Sequence, residues 1–371
     1  MTTFRSPNID RLLKVLLREG EPDLVPFYEH FADNEIIEAL TGKPVSNELL
    51  RGGISSKRYL ETLIEFYNRL GYDYVPLEVP LKLPRKNTLQ THDMAYLSRG
   101  MRSWEDENRG TIETVEDFDK YPWPDPEEAA ELSAFENLAE ALPEGMGVVG
   151  GVAGGVFEHV SWLMSLGKLC RAVHLDKKLV KRMFDKVGSL ILSVDEVIVE
   201  EGHVDVLRMG DDLGYKTGTF LPPRVLREYV FPYYKKLVDL AHRNGLPFII
   251  HSCGNLYVPD GKGRSVMDDL VEYVGIDAKH SFEDEIMPIC QVKKRYEGKI
   301  AVLGGIDMNK LVQLSGADLR KYVRCVIKRC APGGAYALGS GNTIANYVPL
   351  ENYLTMLDEG LKHGTYPISA D

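Results

Sequence analysis

Residues 246 to 255 read LPFIIHSCGN, an apolar run that stops at an imidazole and a thiol with one serine between them. Alternate residues of a strand point to the same side, so His251 and Cys253 face a common ligand if the strand continues that far. Neutral imidazole and thiolate together suit zinc, and a catalytic zinc keeps three protein ligands and one open position. The competing reading is a small buried thiol beside a hydrogen-bonded histidine. A second candidate is the adjacent pair Asp211-Asp212, which follows the run VDVLRMG. Two neighbouring carboxylates at a buried strand end need compensation: a metal, a substrate hydroxyl, a helix N-terminus or a lysine. GGVAGGVFEHV brings glycines close together, but without the spacing of a dinucleotide or phosphate loop.

What positions these groups is a repeated alternation. Short apolar runs start at Met146, Val204, Leu246, Gly275, Ile300 and Gly334, and helix-periodic segments such as LVKRMFDKVGSLILSVDEVIVEEG lie between them. Continuous apolar strands separated by helices imply a parallel sheet covered on both faces. LVPFYEHF and YDYVPLEVP upstream bring the candidate strands to eight, so a (β/α)8 TIM barrel is expected, with a doubly wound open sheet as the alternative. Residues 84–126 break the rhythm and are expected to form an excursion, a hairpin over the barrel mouth, followed by a helix from about Pro126. The whole chain, 1–371, reads as one domain.

In a parallel barrel the strand endings gather at one face, where such folds place their chemistry. That face collects Glu29 and His30, Glu78, Gly154, Gly155 and Glu158, Asp211 and Asp212, His251 and Cys253, His280 and Glu283, Asp307, Ser340 and Asn342. Asp211, Asp212, Glu283 and Asp307 are the expected catalytic carboxylates. Tyr28, Glu78, Ser340 and Asn342 are the expected substrate contacts, with Tyr28, Phe31, Tyr74 and Trp104 as a candidate aromatic wall.

Composition narrows the partners. The 44 Lys and Arg against 55 Asp and Glu leave a formal charge of −11, which disfavours nucleic acid and anionic membranes. Five scattered cysteines outline no disulfide framework and suit a reducing compartment, and Cys290, Cys325 and Cys330 read as inert thiols. The N-terminal stretch MTTFRSPNIDRLLKVLLREGEPD lacks the pattern of an export signal, and no apolar stretch approaches the roughly 20 residues of a spanning helix. A cytoplasmic protein is expected.

The segment from Val204 to Asn255, together with GGID at Gly304 and GSGN at Gly339 followed by VPLENY, resembles the uroporphyrinogen decarboxylase superfamily, over most of the chain from Leu24 to Leu354. More narrowly it looks like the branch of corrinoid-linked methyltransferases. The resemblance implies a TIM barrel. It further implies methyl transfer between a small donor and a corrinoid carried by a partner protein, with homodimerisation left open. True decarboxylases of the superfamily carry an arginine signature near the first strand, where this chain has FYEHFADNE. The methyltransferases bind zinc through H-x-C and a later cysteine, and within GSGN this chain offers Ser340 for the latter. The resemblance thus implies zinc on His251 and Cys253, with Asp212, or else Glu283, completing the set. A site with one thiolate is a stronger Lewis acid than one with two, which favours a methyl ether, plausibly aromatic, as donor. The rival expectations are a decarboxylase acting on a porphyrinogen, marked by arginines facing the cavity, and a barrel that binds a corrinoid or small ligand without turnover.

Overall fold

The β-branched and apolar runs pair as one curled, wholly parallel sheet in the computed structural model, which describes residues 5–368. Residues 1–4, part of the stretch read above for an export signal, and 369–371 lie outside the described residues. The strands are β1 (Tyr74–Pro80), β2 (Gly147–Ala153), β3 (Val206–Gly210), β4 (Phe248–His251), β5 (Ala278–His280), β6 (Ala301–Leu303) and β7 (Tyr336–Ala337). Each pairs with its successor in chain order, so the sheet never reverses direction or order. That excludes the doubly wound alternative, whose strand order reverses at a switch point.

The eighth stave is the 24–32 segment. It meets the end of the sheet through the parallel bridges Phe27–Leu338 and Ala32–Ile344. Toward β1 a side chain replaces the ladder: the Tyr74 hydroxyl donates to the Glu29 carbonyl at 2.6 Å and accepts from the Glu29 N–H at 2.9 Å. Pro26, which has no N–H, sits inside this stave and limits its pairing. The chain therefore closes as a TIM barrel.

Helices cover the outside for the reason their periodicity gives. In Lys177–Glu200, Leu179, Val180, Met183, Phe184, Val187, Leu190, Ile191, Val194 and Ile198 form one buried stripe, and the Asp176 side chain caps the Leu179 N–H. No helix among the described residues is long and apolar enough to cross a membrane.

The excursion contains an antiparallel hairpin, Thr88–His92 with Met101–Glu105, in which Leu89 stands opposite Trp104. Arg99 reaches Asp33 at 2.6 Å, and Asn346 donates to Asp93 at 2.6 Å, tying the hairpin to the rim. The helix expected from Pro126 is displaced. Pro126–Glu128 makes only a single 3-10 turn and the helix runs from Ser133 to Ala141. A short helix not read from the sequence, Val115–Lys120, starts on a capping box between Thr114 and Asp117.

Candidate functional site

A cavity of about 410 Å³ opens at the C-terminal ends of the strands, walled by Glu78, Glu158, Asp211, Asp212, His30, His251 and Asn342. His251 is the last residue of β4, and Cys253 lies two residues on, at the start of the following loop. Cys253 Sγ stands 3.6 Å from His251 Nε2, which in turn is 3.8 Å from Asp212 Oδ1. Tetrahedral zinc with bonds of roughly 2.0–2.3 Å holds its ligand atoms roughly 3.3–3.8 Å apart. Both of these distances meet that demand, and all three donor atoms lie within 4.8 Å of one another. The geometry thus brings together the three residues expected to bind a metal.

Their surroundings hold them there. The His30 ring stacks on His251 at 4.1 Å between centroids, and the Cys253 N–H donates to Asp212 Oδ1 at 2.8 Å. The sulfur receives the Ser281 hydroxyl at 3.3 Å and the Asn342 amide N–H at 3.2 Å. Buried Lys279 ties the ends of β4 and β5 together by donating to the carbonyls of Ser252 at 3.1 Å, His280 at 3.2 Å and Ser281. Burial pushes Lys279 down to about 8. Burial, then the Asp212 charge, raises the Cys253 thiol well above its ordinary range. Burial, then His280, lowers His251. A bound cation would reverse the rise of the Cys253 thiol, because it needs the thiolate.

The adjacent aspartates separate. Asp212 keeps a side chain 40% exposed and faces His251 and Cys253. Asp211 is fully buried and spends both oxygens on structure: it accepts from the Phe157 and Glu158 N–H groups, each at 2.8 Å, and from the Tyr234 hydroxyl at 2.6 Å. Those two amides open the helix Val156–Met164. A Cβ on Gly155 would lie 2.2 Å from the Asp211 Cβ, so only glycine admits this cap. Burial pushes Asp211 up to about 7 against the pull of the three donors. Asp211, expected to be catalytic, thus caps this helix while also lining the cavity.

Other expected residues fall outside the cavity. Asp307 caps the helix Met308–Gln313 through the Lys310 N–H at 3.1 Å and accepts from the Asp284 N–H at 2.9 Å. Glu283 points to solvent. Tyr28 is buried between Tyr74, at 5.6 Å, and His280, at 5.0 Å, and belongs to the core with Tyr74. Trp104 lies on the hairpin in a neighbouring groove with Glu158 and Asp212, so Phe31 alone of the proposed aromatic wall lines the cavity. Ser340 is buried and turned toward Glu29, to which its hydroxyl and N–H donate at 2.5 and 2.7 Å. Within GSGN it is Asn342, two residues on, that reaches Cys253.

Glu78 does line the cavity, held by the Arg208 Nε at 2.9 Å, while Arg208 also donates to the His30 carbonyl at 2.6 Å. Glu158 was read only as a strand-end neighbour. It lines both this cavity and the adjoining groove, and burial, then Asp211 and Asp212, raises its carboxyl well above the ordinary range. Arg85, His159 and Trp162 complete the wall and went unrecognised. Glu158 and Trp162 are four apart on one helix, a face legible in FEHVSW; Arg85 comes from the excursion and has no such signal.

The uroporphyrinogen decarboxylase (URO-D) family model matches residues 108–362. No curated protein matches the chain. A methyltransferase from Methanosarcina mazei is similar in structure, at 17% identity and a TM-score of 0.64, over 98% of this chain and 99% of that one. A beta-mannanase from the blue mussel Mytilus edulis is 10% identical over 94% of each chain, with a TM-score of 0.46. At 17% identity the likeness to the methyltransferase is one of fold.

Proposed function

The chain belongs to the uroporphyrinogen decarboxylase family, and from that premise we propose that it is a zinc-dependent, corrinoid-linked methyltransferase of the cytoplasm. Its methyl donor is a small ether, best an aromatic one, and its partner is a corrinoid protein. The observation that carries this reading is the Asp212, His251 and Cys253 trio, two members of which, Asp212 and His251, line an acidic cavity. A polycarboxylate needs several cationic donors, whereas Arg85 is the one cation lining this cavity against Glu78, Glu158, Asp211 and Asp212. A cavity of about 410 Å³ lies at the small end of the roughly 300–1,000 Å³ usual for ligand sites. It suits a small donor and leaves a macrocycle on the partner outside.

When bound, zinc supplies a Lewis acid for the heteroatom that keeps the electron pair. His251, Cys253 and Asp212 would hold it, and the two donors on Cys253 Sγ draw charge from the thiolate. An amide, Asn342, stands where a second thiolate would compete, which supports a hard oxygen leaving group. Phe31 and Trp162 offer apolar surface to the donor's ring. Glu158, whose carboxyl is raised above its ordinary range by burial, then by Asp211 and Asp212, would give its proton to the departing oxygen.

The test is methyl transfer to cob(I)alamin from a panel of methoxylated aromatics, methylamines and methylated thiols, using zinc-reconstituted protein. Aryl ethers should be demethylated, and His251→Ala and Cys253→Ala should lose both metal and activity. Fully loaded protein inactive with every donor would overturn the methyltransferase reading; activity with thiols alone would overturn the ether.

A further inference from the structure

His251 presents Nε2 to Cys253 and Asp212, and its other ring nitrogen is also occupied. His251 Nδ1 lies 2.8 Å from His280 Nδ1, and His280 Nε2 lies 3.1 Å from the Ser340 carbonyl oxygen. The register of β4 with β5 sets His251 directly opposite His280, so both rings enter the barrel side by side. A carbonyl oxygen only accepts, so His280 Nε2 must carry the hydrogen. A neutral imidazole has one N–H, which leaves His280 Nδ1 as a lone pair. The 2.8 Å contact then requires His251 Nδ1 to be the donor, and the His251 lone pair is left on Nε2.

This chain of donors is built, not incidental. Gly304 adopts φ +84°, and a Cβ there would lie 2.2 Å from the Ser340 carbonyl oxygen and 2.8 Å from His280 Nε2. Any side chain at 304 would occupy the space in which that hydrogen bond forms. Tyr28 meets the His280 ring edge-on at 5.0 Å, and His30 stacks on His251 at 4.1 Å, so neither imidazole is free to flip. Burial disfavours charge on both rings. Metal-bound histidines usually donate their second N–H to a carboxylate, a carbonyl or water. Here a second histidine stands between the ligand and the carbonyl.

We propose that His280 is a positioning residue that relays the acceptor character of the Ser340 carbonyl to His251 and so fixes the His251 Nε2 lone pair toward Asp212 and Cys253. The proposal deepens the zinc reading and rests on it for its purpose, though the tautomer itself is a property of the metal-free chain.

The experiment uses the full chain labelled with 15N-histidine, with His251 identified by the signal lost in His251→Gln. In metal-free wild-type protein, His251 should be the Nδ1–H tautomer and His280 the Nε2–H tautomer; the Nε2–H form at His251 would overturn the proposal. Zinc competition titration supplies the second arm. His280→Leu, which removes the acceptor, should weaken zinc binding by about 10–100-fold and alter the visible spectrum of the cobalt(II)-substituted protein. His280→Gln, which has both an acceptor and a donor, should restore most of the affinity. Unchanged zinc affinity in His280→Leu overturns the relay. A wild-type protein that binds no zinc would overturn the metal reading instead, and the tautomer measurement still judges the relay by itself.

Discussion

Replacing Asp211 and Asp212 in turn by asparagine should separate stability from metal binding across one peptide bond. The Asp211 carboxylate accepts three buried hydrogen bonds, at 2.8, 2.8 and 2.6 Å. An asparagine oxygen in the place of Oδ2 still accepts from Phe157 and Tyr234, but its amide then meets the Glu158 N–H donor to donor. A hydrogen bond to a buried charged group contributes about 1.5–3 kcal/mol, and an orphaned buried donor costs about 1–3 kcal/mol. Because these overlap, the net loss is about 3 kcal/mol. With 371 residues, at about 2.1 cal/mol/K per residue, unfolding entropy is about 0.8 kcal/mol/K, so Tm should fall by about 4 °C. Asp212 is 40% exposed, and asparagine preserves an acceptor for the Cys253 N–H, so its Tm should stay within about 1 °C. Zinc affinity should do the opposite: retained in Asp211→Asn, and lowered at least about tenfold in Asp212→Asn. Melting is followed with a chelator present, since bound zinc adds its own stabilisation. An Asp211→Asn protein that melts with wild type, or one that loses zinc while Asp212→Asn keeps it, refutes this division.

Under reducing conditions Asn342→Cys should slow zinc loss to a chelator and slow ether cleavage, because the new thiol stands where an amide now lies 3.2 Å from Cys253 Sγ. Ser340→Cys should leave zinc retention unchanged and lower Tm, through loss of the 2.5 Å hydrogen bond to Glu29; the reverse pattern would return the second-thiolate position to Ser340. Burial raises Glu29 from 4.5 to about 8, so the native state holds a proton that the unfolded chain has released. That contribution makes stability fall as pH rises from about 4.5 to about 8, and comparing urea melts of wild type and Glu29→Gln across this window should show a shallower slope in the variant. Uroporphyrinogen should not be decarboxylated, as direct product analysis would show, since Arg85 is the only cation among the cavity-lining residues.

The barrel was legible because it depends on features each segment carries alone: apolar runs, helical stripes, and endings that a parallel sheet must gather at one face. His251 and Cys253 were legible for the same reason, since a period of two, carried one step past the end of the strand, sets them toward one side. Proline in the 24–32 stave, and a hydroxyl in place of its ladder to β1, were not, because pairing belongs to two segments at once. The neighbours Asp211 and Asp212 have indistinguishable local chemistry. What divides them is a pair of helix amides 54 and 53 residues earlier in the chain, together with a glycine that clears their approach. Likewise Ser340 and Asn342 share one loop, and the choice between them was made by Glu29, 311 residues from Ser340, which takes the serine and leaves Asn342 to the thiol. Residue types and periodicity set which groups reach the mouth. Past the last ladder hydrogen bond, side-chain direction is set by whichever unsatisfied donor or acceptor the fold brings nearest, and that only the closed barrel decides.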